Sequence, residues 1–204
     1  MHPQGQRRII GVTGGLGMGK TTVSEYLQQV HQLPVLDADL YAREAVETGS
    51  QVLTDIVDRY GSSILLPDGE LDRRRLGDII FNSPAERLWL EQRIHPFVRD
   101  RIQRELRSLD PQTHPTIVLV VPLLFEARMT DLVTEIWVVS SSAEQQQTRL
   151  QERDRMSLTQ IKARIESQMA IERKAKQADV LIENSASREA LYQQVDQALG
   201  SSAG

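Results

Sequence analysis

Apolar positions along the chain fall into two kinds of run. Residues 8–13, 33–36, 116–121 (TIVLVV), 135–139 (EIWVV) and 179–183 (DVLIE) are short and nearly continuous. That is the pattern of parallel strands buried on both faces. After the first run, Val23, Tyr26, Leu27 and Val30 recur at helical spacing (i, i+3, i+4, i+7) and predict a helix. Strand and helix signals in alternation predict a parallel α/β core.

Two segments leave that rhythm. Residues 51–110 read as helical throughout, with Val52, Ile56, Val57 and Tyr60 on one face and a turn at PDGE, 67–70. A further helix start stands at SPAE, with Ser83 as N-cap, Pro84 at the first helical position and Glu86 two residues on. Residues 147–176 are dense in charge, carry Arg149, Arg153, Arg155, Lys162 and Arg164, and show a capping-box pair in Ser157 and Gln160. The expected organisation is an α/β core of 1–46 with 113–146 and 177–204, a helical insertion at 47–112 and a helical lid at 147–176. Only the first seven and last five residues read as linker.

At 204 residues the chain suits one core carrying an inserted subdomain. A net charge of −4 argues against a generic electrostatic grip on nucleic acid, so an anion is expected to bind locally. Cysteine is absent from the sequence, which excludes disulfides, thiolate catalysis and zinc-finger ligation, and the cytoplasm is the expected location. Arg7-Arg8 before IIGV is no signal peptide, because glycines and Lys20 soon interrupt the run. No run approaches the roughly 18 apolar residues of a membrane span.

Residues 14–21, GGLGMGKT, match the pattern G-x-x-x-x-G-K-[ST] between a predicted strand and a predicted helix. Glycine suits a backbone that curls around phosphates, since a Cβ would keep its N–H groups from converging. The helix N-terminus adds partial positive charge. Lys20 is expected at the β- and γ-phosphates and the Thr21 hydroxyl on Mg²⁺, so the loop is expected to hold a nucleoside triphosphate with Mg²⁺. The fold expected is therefore a P-loop NTPase-type parallel sheet flanked by helices, with a helical insertion and a helical lid.

Asp37 and Asp39 stand at the carboxyl end of the second predicted strand, where ligands bind in open α/β sheets. One could orient an acceptor hydroxyl and the other help hold the metal, while the plain alternative makes Asp39 a helix cap. Arginines of the lid suit the dispersed charge of a phosphoryl group in transit. However, Glu152, Asp154 and Glu166 are interleaved with them, and some must form only surface pairs. His95-Pro96 interrupts a helical pattern running from Ala85 to Leu109, and a kink there would shape a pocket.

Together these pieces resemble the dephospho-CoA kinase family. The likeness runs from Arg8 to Leu199 through GVTGGLGMGKTT, VLDADLYAREAV, GELDRRRLGDIIF, LEQRIHPFV, VLVVPLLFE, QTRLQERDRMS and QADVLIENSAS. It implies transfer of the ATP γ-phosphate to the ribose 3′-hydroxyl of dephospho-CoA, the last step of coenzyme A synthesis. By that resemblance Gly15, Gly17, Met18, Gly19, Lys20, Thr21 and Thr22 hold the ATP phosphates and Asn184 lies near the adenine. Asp39 is the base facing the 3′-hydroxyl, Arg153 faces the transferring phosphoryl, and Asp37, Leu71, Asp72, Arg73, Phe81, His95 and Pro96 bind the acceptor, which makes the helical insertion substrate-binding. The sequence departs from the family pattern at Ser185-Ala186, where Asp-Gly often follows the Asn, and at Met18, where Ser or Ala is usual. The expected partner is dephospho-CoA, without nucleic acid or membrane, for a monomer or weak homo-oligomer.

Two rivals share the core. A nucleoside or nucleoside-monophosphate kinase differs in its acceptor, against which the size and LDR…IHP content of the insertion argue. A nucleotide-dependent switch or ATPase normally has D-x-x-G or an acid directly after its third strand, whereas Val121-Pro122 stands there and the first acid is Glu126.

Overall fold

The computed structural model describes residues 7–154 and 157–201, with the backbone alone at 153 and 154. Five strands form one wholly parallel sheet: β1 (Arg8–Gly14), β2 (Val35–Asp37), β3 (Thr116–Val120), β4 (Glu135–Ser140) and β5 (Val180–Glu183). Their order is β2-β3-β1-β4-β5, which puts β1 at the centre. The second strand starts later than the apolar run that predicts it. Pro34 has no N–H to donate to a ladder, and its carbonyl instead accepts from Val118 N at 2.9 Å, so the strand begins only at Val35. At β3 the ladder ends before Pro122 for the same reason.

The helices in chain order are α1 (Lys20–Gln29), α2 (Ala38–Glu44), α3 (Gln51–Tyr60), α4 (Arg73–Asn82), α5 (Pro84–Ser108), α6 (Ala143–Asp154), α7 (Leu158–Glu166), α8 (Ile171–Ala175) and α9 (Arg188–Ser201). The chain divides into two compact units, Met1–Asp37 with Leu109–Gly204, and Ala38–Ser108.

In the first unit, α1 and α9 cover one face of the sheet. Val23 and Leu27 of α1 and Leu191 and Val195 of α9 pack with Ile10, Val12, Val118, Trp137 and Ile182. The alternate residues Ile117, Leu119 and Val138 are buried as well, as strands without in-out alternation require. Arg8 ties α9 to the sheet: its Nη1 donates to Leu199 O at 2.9 Å and its Nη2 to Glu135 Oε1 at 2.8 Å. Trp137 Nε1 donates to the same carboxylate at 2.6 Å. A guanidinium from a distant strand thus satisfies a carbonyl in the last turn of α9.

The second unit has its own core of Val46, Val52, Leu53, Ile56, Ile64, Leu71, Leu76 and Leu90. The turn read at PDGE is present, with Leu66 N donating to Glu70 O at 2.8 Å and Leu65 bridging Leu71 across it. Ser83 caps α5 by accepting from Glu86 N at 3.3 Å. The Glu86 carboxylate, however, accepts from Arg59 Nε at 2.6 Å and from Tyr60 Oη at 2.5 Å, joining α5 to α3. Arg59 and Arg93 lie against the Trp89 ring, 4.6 and 4.0 Å from its centroid. Helix α5 runs through Pro96, where the pattern reads as interrupted. Flanking turns and the contacts of α5 with α2 and α4 hold one helix across the missing donor.

The Arg59 guanidinium, with Tyr60, holds the Glu86 carboxyl down from 4.5 to about 2. A depressed carboxylate contributes stability that is complete above its unfolded value and is lost as pH falls through its folded value. We therefore expect the thermal-midpoint gap between the native chain and Glu86→Gln to be widest near neutral pH and to close between pH 4.5 and about 2, followed by calorimetry across that range. A gap independent of pH would show that the carboxylate's charge contributes nothing.

Candidate active site

The phosphate-loop sequence turns where β1 leaves the sheet. Gly14, Gly17 and Gly19 have φ of +150°, +73° and +98°, all in the region that favours glycine. Neighbours press on the loop at the same residues. A Cβ on Gly14 would lie 2.2 Å from Val139 O, one on Gly17 2.9 Å from Leu150 Cγ, and one on Gly19 2.1 Å from Asn184 Nδ2. The backbone is bare because both its torsions and its surroundings demand it.

Side chains far away in sequence pin this loop. Gln146 Nε2 on α6 donates to Leu16 O at 2.7 Å, and Asn184 Nδ2, after β5, donates to Met18 O at 3.0 Å. Met18 is itself 3% exposed, so the bulkier residue is folded into the protein. Lys20 Nζ reaches back to Gly15 O at 2.8 Å and Gly14 O at 3.1 Å. Gly19 caps α1 without a side-chain hydrogen bond, and the first turn contains no acid. The positive end of α1, the loop N–H groups and Lys20 therefore converge on one anion-sized space.

Beside the helix start lies an open cleft of about 240 Å³, lined by Gly19, Thr22, Arg149, Asn184, Arg188 and Leu191. Arg149 Nη2 donates to Asn184 O at 3.1 Å, while its Nη1 is buried and has no acceptor among the described residues. Two guanidinium groups and a hydroxyl here suit a polar, anionic ligand running out from the loop. Thr21 is exposed in the first turn of α1. Among the described residues no three His, Asp or Glu side chains cluster as a metal site.

The remaining predicted residues distribute between the units. Asp37 ends β2 opposite Val120 of β3, at the carboxyl edge of the sheet. Asp39 is exposed in the first turn of α2, in the helical unit. Leu71 belongs to that unit's core, and Asp72 caps α4 by accepting from Arg75 N at 3.0 Å. Arg73 Nη2 donates to Arg43 O at 3.3 Å, and the Phe81 ring is exposed. His95 is half-buried and Pro96 exposed on α5. The backbone of Arg153 continues α6, but its side chain lies outside the described residues, as does Arg155 altogether.

Sequence reasoning missed Gln146 and Arg188 and did not separate Arg149 from the other cations. The only signal was weak: Gln146 and Leu150 stand four apart, the spacing of one helix face, and both are buried.

Comparison with known proteins places residues 8–189 in the match to the dephospho-CoA kinase family model. A dephospho-CoA kinase of Trichormus variabilis is 55% identical over 193 residues, covering 95% of this chain and 97% of its own. One from Synechococcus elongatus is 52% identical over 198 residues, covering 97% and 94%. Among solved structures, a Thermus thermophilus protein superposes with a TM-score of 0.81 at 32% identity, covering 98% of this chain and all (100%) of its own. The dephospho-CoA kinase of Campylobacter jejuni superposes with a TM-score of 0.70 at 27% identity, covering 94% and 95%.

Placing a methyl group on Gly19 forces both a left-handed torsion and a clash with Asn184. We expect Gly19→Ala to destabilise the chain by at least the roughly 1–3 kcal/mol of a strained torsion and to weaken nucleotide binding, read by urea unfolding and titration calorimetry. Native stability and affinity would show that the loop yields easily.

Proposed function

The chain belongs to the dephospho-CoA kinase family and carries out ATP-dependent phosphorylation of dephospho-CoA in coenzyme A synthesis; on that premise we propose how its residues divide the reaction. The observation that carries the proposal is the glycine cradle closed by Lys20, a shape that only a backbone without side chains can take.

Gly15, Gly17, Met18, Gly19 and Thr22 present backbone N–H groups to the β- and γ-phosphates, and Lys20 leaves its loop carbonyls to pair with them. Asn184 and Arg149 border the nucleotide's adenine end, with Asn184 also holding the loop. The Thr21 hydroxyl would hold Mg²⁺, which would supply positive charge to offset that of the phosphates. Asp39 takes the proton of the ribose 3′-hydroxyl as its oxygen bonds to the γ-phosphorus. The bond from that phosphorus to the bridging oxygen breaks, and ADP leaves with the electron pair. Asp37 orients the acceptor from the end of β2. The lid role is assigned to the segment 147–176 and dispersal of the phosphoryl charge to Arg153, both from the sequence and its family resemblance alone.

The helical unit receives the acceptor. Arg73 suits its anionic groups and the exposed Phe81 its apolar arm, while Leu71 and Asp72 set the start of α4 that presents them. His95 and Pro96 line the acceptor from α5. No helix among the described residues is long and apolar enough to cross a membrane. The cysteine-free sequence suits a reaction in the cytoplasm.

The decisive assay measures ADP release with dephospho-CoA beside nucleosides and nucleoside monophosphates. Turnover restricted to dephospho-CoA is expected; equal turnover of a nucleoside monophosphate would overturn the acceptor assignment. We expect Lys20→Ala to lower kcat/KM by several orders of magnitude in a chain that still folds, since the side chain supports phosphate charge and packs in no apolar core. Asp39→Asn should lower kcat about a hundredfold, inside the roughly 10²–10⁴ range of general acid–base catalysis, with ATP affinity retained in titration calorimetry. Loss of kcat in Asp37→Asn alone would exchange the two roles.

A further inference from the structure

Lys174 on α8 is fully buried, with its Nζ 3.0 Å from Glu126 Oε1 and 2.9 Å from Pro122 O. Glu126 Oε1 also accepts from Met169 N at 2.8 Å, just before α8. Pro122 O takes a second bond, from Thr13 Oγ1 at 3.1 Å. Thr13 directly precedes Gly14, whose carbonyl accepts from Lys20. Hydrogen bonds and covalent neighbours therefore link the root of α8 to the phosphate-loop lysine.

The join lies where regular backbone pairing stops. The last bond between the β1 and β3 chains runs from Val121 N to Val12 O at 3.0 Å, and Pro122 has no N–H to continue the ladder. Immediately beyond, Gly14 adopts its φ of +150°. The residue that must stay fixed while the chain changes direction is thus held by a hydroxyl and an ammonium on one carbonyl. A buried ion pair is a poor source of stability, because desolvation offsets its attraction and an apolar pair of similar volume serves as well. It does impose direction, which an apolar pair cannot.

We propose that Lys174 and Glu126 are positioning residues for phosphoryl transfer: by fixing the Pro122 carbonyl against Thr13 they set where β1 ends and thereby how the loop presents Lys20. This rests on the loop holding ATP. The role belongs to the chemical step more than to binding, since small misplacements cost rate steeply while phosphate contacts adapt.

The test uses the full chain with Mg·ATP and dephospho-CoA. Lys174→Met combined with Glu126→Gln removes the ammonium without stranding a buried carboxylate, and keeps an acceptor for Met169 N. Expected is a roughly tenfold fall in kcat with the KM for ATP within about twofold. Thr13→Val, which removes only the hydroxyl, should lower kcat less. The triple variant should be no slower than the double, because both changes act through one carbonyl. Unchanged kcat in the folded double variant, or losses that simply multiply in the triple, would overturn the proposal. Should the double variant not fold, Thr13→Val decides alone: reduced kcat at the native thermal midpoint supports the linkage, and full kcat overturns it. Failure of the native chain to phosphorylate dephospho-CoA appears in the same assay without any variant, so the functional reading fails separately.

Discussion

The structure depends on one constraint: the five residues of backbone between β1 and α1 must curl tightly enough for their N–H groups to share an anion, and must hold that curl against water. Glycine torsions make the shape possible at Gly14, Gly17 and Gly19. They do not make it stable, since glycine is also the residue with most freedom to lose. Rigidity comes from outside the loop. The Val139 carbonyl, Leu150, Gln146 and Asn184 press on it or bond to it, leaving one conformation.

The sheet order follows from the same requirement. With β1 central, the loop leaves between β3 and β4 and can be braced from both directions. On the β4 side the brace is α6 and the residue after β5; on the β3 side it is the Pro122 carbonyl with Thr13 and Lys174. An edge strand could receive support from one side only. Burial of both faces by parallel packing then gives the rigid floor from which a mobile ligand can be held.

The helical unit answers a different demand. Its core is apolar, and its polar joints sit at the surface, where Arg59, Tyr60 and Glu86 connect α3 to α5 and Arg101 pairs with Glu44 between α5 and α2. Such exposed pairs contribute little each. They nevertheless orient helices whose apolar stripes alone would tolerate sliding.

Local chemistry was legible in the chain itself. The five strands, the PDGE turn, the Ser83 and Ser157 caps and the glycine loop each depend on neighbours within a few positions, and periodicity or residue type announces them. The resemblance to a kinase family followed from motifs of the same short kind. The extent of helix α5 was legible too, since its pattern runs on past Pro96. Tertiary structure alone decided which polar side chains went inside. Asn184 meets Met18 across 166 positions and Gln146 meets Leu16 across 130, while Lys174 finds its carbonyl 52 positions away. A buried polar residue is stable only where a particular distant partner satisfies it, and no periodicity along a chain records which carbonyl folding will bring near.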